Sequence, residues 1–201
     1  MNFLAHAYLS FGQEEILVGN FIADFVRGKE MEKYPKKVQL GIQLHRAIDT
    51  YTDSHPLVKQ VHSFLIPRFG HYSRVISDVF FDYFLAKNWK NYSDTPLEQF
   101  SLDTYRTLSS YPQQLPESFL RMFHWMQAQN WLYAYREAAG IQAALDGLSR
   151  RARFDSKMNE STQVLWGKEE EIEAIFFAFF VNLETFASTT LLELIQNHDP
   201  A

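Results

Sequence analysis

The chain has 201 residues, 46% hydrophobic and 16% aromatic, with 18 Phe, 10 Tyr and 4 Trp; that is too apolar for a disordered segment and long enough for one domain with a sizeable core. The formal net charge of -5 removes the electrostatic footprint of a general nucleic-acid binder. The absence of cysteine excludes disulfides, cysteine-ligated zinc, iron–sulfur clusters and thiol nucleophiles, and 8 Gly with 7 Pro are few enough to predict an all-α fold of long helices.

Hydrophobic periodicity predicts helices near 2–10, 14–27, 35–52, 56–67, 71–90, 96–110, 116–137, 138–150 and 160–196. The first carries His6 inside Asn2-Phe3-Leu4-Ala5-His6-Ala7-Tyr8-Leu9, where a lone histidine suits a satisfied core position as well as a ligand. It has no cationic flank, so it does not read as a signal peptide, and a cytoplasmic location is expected. In the second, Asn20 and Asp24 share a face, and Gly19 permits a backbone or a ligand to approach closely. The third stacks His45, Asp49 and Asp53 at i, i+4 and i+8, with Arg46 beside them. Imidazole with carboxylate suits manganese, iron or zinc better than calcium, although a hydrogen-bonded structural pair has the same spacing.

The helix near 71–90 holds Asp78 and Asp82 four residues apart among apolar side chains. An unpaired buried carboxylate costs several kcal/mol, roughly, so something positive is expected between them, either an arginine or a metal ion. Pro35, Pro56, Pro96 and Pro116 suit first helical positions, and Thr95-Pro96-Leu97-Glu98 reads as a capping box. His124 with Trp125, and Trp131 with Tyr133 and Tyr135, suit core or groove wall equally. Arg27, Lys29, Lys33, Lys36 and Lys37 form one basic cluster, and Arg150, Arg151 and Arg153 another. The last segment aligns Leu165, Ile172, Ile175, Phe176, Phe179, Phe180, Leu183, Phe186 and Leu191 as a core stripe. Its apolar run from Phe176 to Leu183, interrupted by Asn182, is far short of the roughly 18 to 20 residues of a membrane span.

Four apolar helical segments thus carry His6, Asp24, His45 with Asp49, and Asp78 with Asp82, all within the first 90 residues. A single-domain helical bundle over 1–201 can point them at one centre, a setting for metal-dependent phosphoester hydrolysis, with a metal-site half at about 1–90 and an aromatic-rich remainder over 91–201. No G-x-S-x-G elbow, Walker loop, G-x-G-x-x-G or H-E-x-x-H occurs.

Met-Asn-Phe-Leu-Ala-His at 1–6, Gly-Asn-Phe-Ile-Ala-Asp-Phe-Val-Arg-Gly at 19–28, Gly-Ile-Gln-Leu-His-Arg-Ala-Ile-Asp at 41–49 with Thr52-Asp53, and Asp78-Val79-Phe80-Phe81-Asp82-Tyr83-Phe84-Leu85 resemble the acyl carrier protein phosphodiesterase family. The resemblance is strongest over 1–90 and continues through Gln129-Asn130-Trp131-Leu132, Tyr135-Arg136 and Leu145 to Arg150. It implies an all-helical fold related to the HD phosphohydrolases. The implied reaction is hydrolysis of the phosphodiester joining 4′-phosphopantetheine to a serine of holo acyl carrier protein, with a divalent ion, manganese favoured. The sequence departs from the HD pattern, because its only adjacent His-Asp step is His198-Asp199.

With this resemblance, His6, Asp24, His45 and Asp78 are the expected metal ligands, and Asp49 and Asp82 are ligands, orienters or the base. Arg46 and Arg27 are expected to clamp phosphate, and His45 or a water to protonate the serine leaving group. Lys29 to Lys37 is the expected docking face for an acidic carrier protein. Two alternatives remain open at this level. One is an HD-type hydrolase of a small phosphodiester or nucleotide. The other is a non-catalytic helical binding protein whose carboxylates pair with Arg27, Arg46 and Arg74.

Overall fold

Eleven α-helices and six short 3-10 turns, with no strand, make up the described residues 1–198 of the computed structural model. The helices are α1 (Phe3–Tyr8), α2 (Glu14–Ile22), α3 (Lys36–Ser54), α4 (Pro56–Phe69), α5 (Ser73–Lys87), α6 (Leu97–Ser109), α7 (Glu117–Ala128), α8 (Trp131–Ala134), α9 (Ala138–Arg151), α10 (Thr162–Gly167) and α11 (Glu169–His198). Asp199 lies outside the described residues.

Three expected helices are shorter or divided. The segment near 14–27 leaves the α form at Ile22, tightens into the 3-10 turn Ala23–Phe25 and becomes extended at Val26. The segment near 116–137 breaks at Asn130, whose φ of +43° lies in the left-handed region that asparagine tolerates better than most residues. The last segment breaks at Gly167 and Lys168, separating α10 from α11. Pro56 opens α4 as expected. Pro35, Pro96 and Pro116 instead sit one residue earlier, as extended N-caps whose carbonyls accept the first helical N–H groups. That shift places Thr95 outside α6, so the expected capping box does not form. The Thr95 N–H donates to Ser93 Oγ and its carbonyl accepts from Trp89 Nε1.

The core is built on α11. Ile172, Ile175, Phe176, Phe179, Phe180, Leu183, Ala187 and Leu191 are buried along it, and Phe186 is half-buried with its ring stacked 4.2 Å from Tyr51. Phe81 and Phe84 of α5 each lie 5.9 Å, ring to ring, from Phe176. By length and composition α11 as a whole is apolar enough to cross a membrane, which the shorter run from Phe176 to Leu183 does not suggest. In this fold its stripe packs against α3, α4 and α5.

Helices α2 and α3 pack backbone against backbone. A Cβ on Gly19 would lie 2.1 Å from the Val38 carbonyl oxygen, and one on Gly41 would lie 2.2 Å from that of Ile16. Only glycine fits at either position, so the two backbones touch. Asn20 follows the first glycine and His45 lies one turn beyond the second, so this crossing brings their groups together.

Candidate metal centre

Each functional side chain is delivered by a different local device. Helix α1 is six residues long and has no side-chain cap of its own at Asn2. Its cap comes from α5: the fully buried Asp82 accepts from the Leu4 N–H at 2.8 Å and from the Ala5 N–H at 3.1 Å. Two of the four otherwise unpaired donors at the helix start are thereby satisfied, and His6, the next residue, is fixed in place. Burial pushes the Asp82 carboxyl up to about 7, against the opposing pull of those two N–H groups.

The imidazoles of His6 and His45 stack at 3.9 Å with planes 15° apart. Asp49 bridges them, with Oδ1 3.2 Å from His6 Nε2 and Oδ2 3.1 Å from His45 Nε2. Asp24, in the 3-10 turn after α2 and with a side chain 71% exposed, places Oδ1 3.4 Å from His45 Nε2 and forms the mouth of the cluster. One nitrogen or oxygen from each of His6, His45 and Asp49 falls within 4.8 Å of the others. The Met1 amino group lies 3.1 Å from Asp78 and 3.3 Å from Asp49.

The protonation pattern follows from the partners. His45 Nδ1 is 2.8 Å from the Asn20 carbonyl oxygen, which can only accept, so Nδ1 carries a proton and the ring turns its Nε2 toward two carboxylates. That Nε2, and both ring nitrogens of His6, are buried without a hydrogen-bond partner. Buried polar atoms are rarely left so. Ring nitrogens facing carboxylate oxygens call for positive charge, supplied by a proton or a cation, and this mixed nitrogen and oxygen set suits a divalent transition-metal ion. The Asn20 carbonyl is the orienting partner that ligating histidines usually have on their other nitrogen.

The electrostatics are those of a crowded site. Burial drives His6 down to about 4, helped by His45 and only partly opposed by Asp49. For His45 burial acts in the same sense but is outweighed by Asp24 and Asp49, which raise it to about 9. Burial alone would raise Asp49, yet the Met1 amino group, His45 and His6 hold it well below the usual carboxylate range. Asp78 is pushed up to about 6 by burial despite the neighbouring amino group.

His6, Asp24, His45 and Asp49 are thus brought together, and Asp78 joins them through the Met1 amino group. Asp82 is engaged with the α1 backbone. Asp53 is drawn outward by Arg74 at 2.9 Å. Arg46 donates to the Val26 carbonyl at 2.9 Å and so ties down the segment after Asp24, while Arg27 is exposed just beyond it. Among the described residues no arginine pairs with Asp24, Asp49, Asp78 or Asp82, which removes the arginine partners expected for a purely structural cluster. Sequence reasoning missed the Met1 amino group and two roles of Asn20. Besides its carbonyl, the Asn20 side chain donates to the His6 carbonyl at 3.0 Å and to Ser10 Oγ at 3.1 Å. Its spacing from Asp24 is the only signal that pointed there.

A family model described as acyl carrier protein phosphodiesterase matches residues 1–183. The chain is similar to the acyl carrier protein phosphodiesterases of Escherichia coli O6:H1 and Escherichia coli K12, each 33% identical over 194 residues, 96% of this chain and 100% of the relative. No solved structure matches the chain.

Proposed function

The chain belongs to the acyl carrier protein phosphodiesterase family, and from that premise we propose that it cleaves the bond between phosphorus and the serine oxygen of holo acyl carrier protein, using a divalent ion with manganese favoured. The products are the apo carrier protein, with its serine hydroxyl restored, and 4′-phosphopantetheine. The observation that carries the metal is the convergence of His6, His45 and Asp49 within 4.8 Å of one another, with both ring nitrogens of His6 left without a hydrogen-bond partner.

His6, His45, Asp49 and Asp24 are the residues that would hold the ion. Bound there, it supplies charge neutralisation at the phosphate and acidifies water. Relative to the expectation from sequence, Asp49 and Asp78 exchange roles. Asp49 reaches both histidines, whereas Asp78 is engaged by the Met1 amino group and is the carboxylate left to take a proton from the attacking water. Asp82 positions His6 by capping α1. The exposed Arg27, and the Arg46 donors not used on Val26, flank the mouth beside Asp24, where an anionic diester would enter. Lys29, Lys33, Lys36 and Lys37 are exposed on the segment that follows, a face suited to an acidic carrier.

Intact-mass spectrometry of holo acyl carrier protein tests this directly. Conversion to the apo mass with release of 4′-phosphopantetheine is expected with Mn²⁺ and is expected to stop with EDTA. No conversion of a competent carrier protein would overturn the reaction, and conversion at full rate in EDTA would overturn the metal.

A further inference from the structure

The scissile phosphate of the proposed substrate carries a long arm with a geminal dimethyl group, a hydroxyl, two amides and a terminal thiol, which reaches beyond the cluster. Next to the cluster is a cleft of about 580 Å³, within the range of about 300–1,000 Å³ usual for small-molecule sites. The two places share the start of the chain. The Met1 amino group touches Asp49 and Asp78, while Asn2 and Phe3 line the cleft. Asn2 Nδ2 donates to the Tyr135 hydroxyl at 3.4 Å across the boundary. That hydroxyl sits between the two regions electrostatically: burial and then Asp82 push it well above its usual range, and Arg151 opposes them.

The floor of the cleft is one face of α9. Gly140, Ala143, Ala144 and Gly147 follow one another there at helical spacing. Gly140 has a packing reason, since a Cβ would lie 2.0 Å from the Ala134 carbonyl oxygen. Gly147 has none: a Cβ there would meet only the Arg150 guanidinium, at 3.9 Å. A glycine inside a helix costs about 1 kcal/mol relative to alanine, and here it keeps the cleft open rather than letting two elements touch. At the end of the same helix Arg150 and Arg151 line the cleft, and among the described residues neither forms an ion pair with a carboxylate. From Gly140 to Arg151 the helix rises roughly 16 Å at 1.5 Å per residue, room for an extended arm.

We propose that this cleft receives the 4′-phosphopantetheine arm, with its phosphate end at Arg151 beside Asn2 and the metal centre and its amide-bearing chain over Gly147. Trp125 and Trp131 supply the apolar wall for the dimethyl group. The inference rests on the phosphodiesterase function proposed above and deepens it by naming where the arm binds. It also assigns Gly147 as a determinant of substrate fit.

Titration calorimetry with free pantetheine and with 4′-phosphopantetheine, on the full chain, reads the cleft without turnover. Gly147→Leu is expected to weaken both ligands at least about tenfold and to raise KM for holo carrier protein similarly, by filling the space the arm needs. Arg151→Ala is expected to weaken 4′-phosphopantetheine and leave pantetheine nearly as before. Gly147→Ala guards against misfolding, because its methyl meets open space; an unchanged or raised Tm with a smaller rise in KM is expected. A folded Gly147→Leu variant with unchanged KM and unchanged affinities would overturn the cleft assignment while leaving the phosphodiesterase function intact. Failure of the parent to convert holo carrier protein would overturn that function instead, and the two titrations would still decide whether the cleft takes the arm.

Discussion

Helix α5 has two buried faces, and they meet opposite kinds of surroundings. One face sets Phe81 and Phe84 against Phe176 of α11, in an aromatic layer where shape alone satisfies every group. The other sets Asp78 and Asp82 beside α1 and α3, where three imidazole nitrogens of His6 and His45 are left without hydrogen-bond partners. The contrast teaches that stability and chemistry are divided between two layers that share a helix. The aromatic layer holds the fold, and the polar layer gives up stability to gather ring nitrogens and carboxylates at one place.

The sharpest way to break that division is to injure the aromatic layer. Phe176→Ala removes a fully buried ring that contacts Phe81, Phe84 and Phe180. It should cost about 3–5 kcal/mol in denaturant unfolding, with the activity of the folded fraction retained; equal losses in both would merge the two layers. Asp49→Asn tests the other side. If Asp49 helps hold an ion as proposed, hydrolysis of holo carrier protein should fall by at least on the order of 100-fold, with a Tm change smaller than that of Phe176→Ala.

Gly19→Ala addresses the crossing that joins the layers. Its methyl would lie 2.1 Å from the Val38 oxygen, so a loss of about 1–3 kcal/mol is expected, together with reduced activity as Asn20 moves from His45. A variant of full activity and stability would show that the close approach does not set the histidine. The smallest effect belongs to the outer edge of α5, where Lys87 pairs with Glu169 at 2.8 Å. Lys87 lowers the Glu169 pKa, with help from the Tyr83 hydroxyl and against the opposing effect of burial. A depressed carboxylate contributes stability that is present above its ordinary pKa and is lost as pH falls through the depressed value. Glu169→Gln should therefore lower stability by less than about 1 kcal/mol at neutral pH, the partly exposed pair being screened, and the difference should vanish in acid unfolding curves.

Much of this could be read along the chain, because it depends on neighbours three and four residues apart. The pairing of His45 with Asp49 is of that kind, as is the α11 stripe. The capping box at Thr95 was equally local, but Pro96 took the N-cap position and moved the helix start past it. The break at Asn130 required a left-handed residue that no periodicity announces. Asp82 read like Asp78, both being carboxylates on an apolar helix. Yet one caps α1 and the other meets an amino group, since α1 starts against one turn of α5 and Met1 lies against the next.

Composition and periodicity by themselves determined that this chain is all-helical, that its last helix is core, and that histidines and aspartates gather in the first 90 residues. Only the tertiary structure decided which of them share a centre, that Asp49 rather than Asp78 spans the two histidines, and that Gly147 opens a cleft rather than a contact. The reason is one of scale. Spacing along a helix sets which side chains share a face, whereas the distance between faces is set by where backbones can touch, and here that is decided at Gly19 and Gly41 and by a carboxylate reaching across to cap a helix that cannot cap itself.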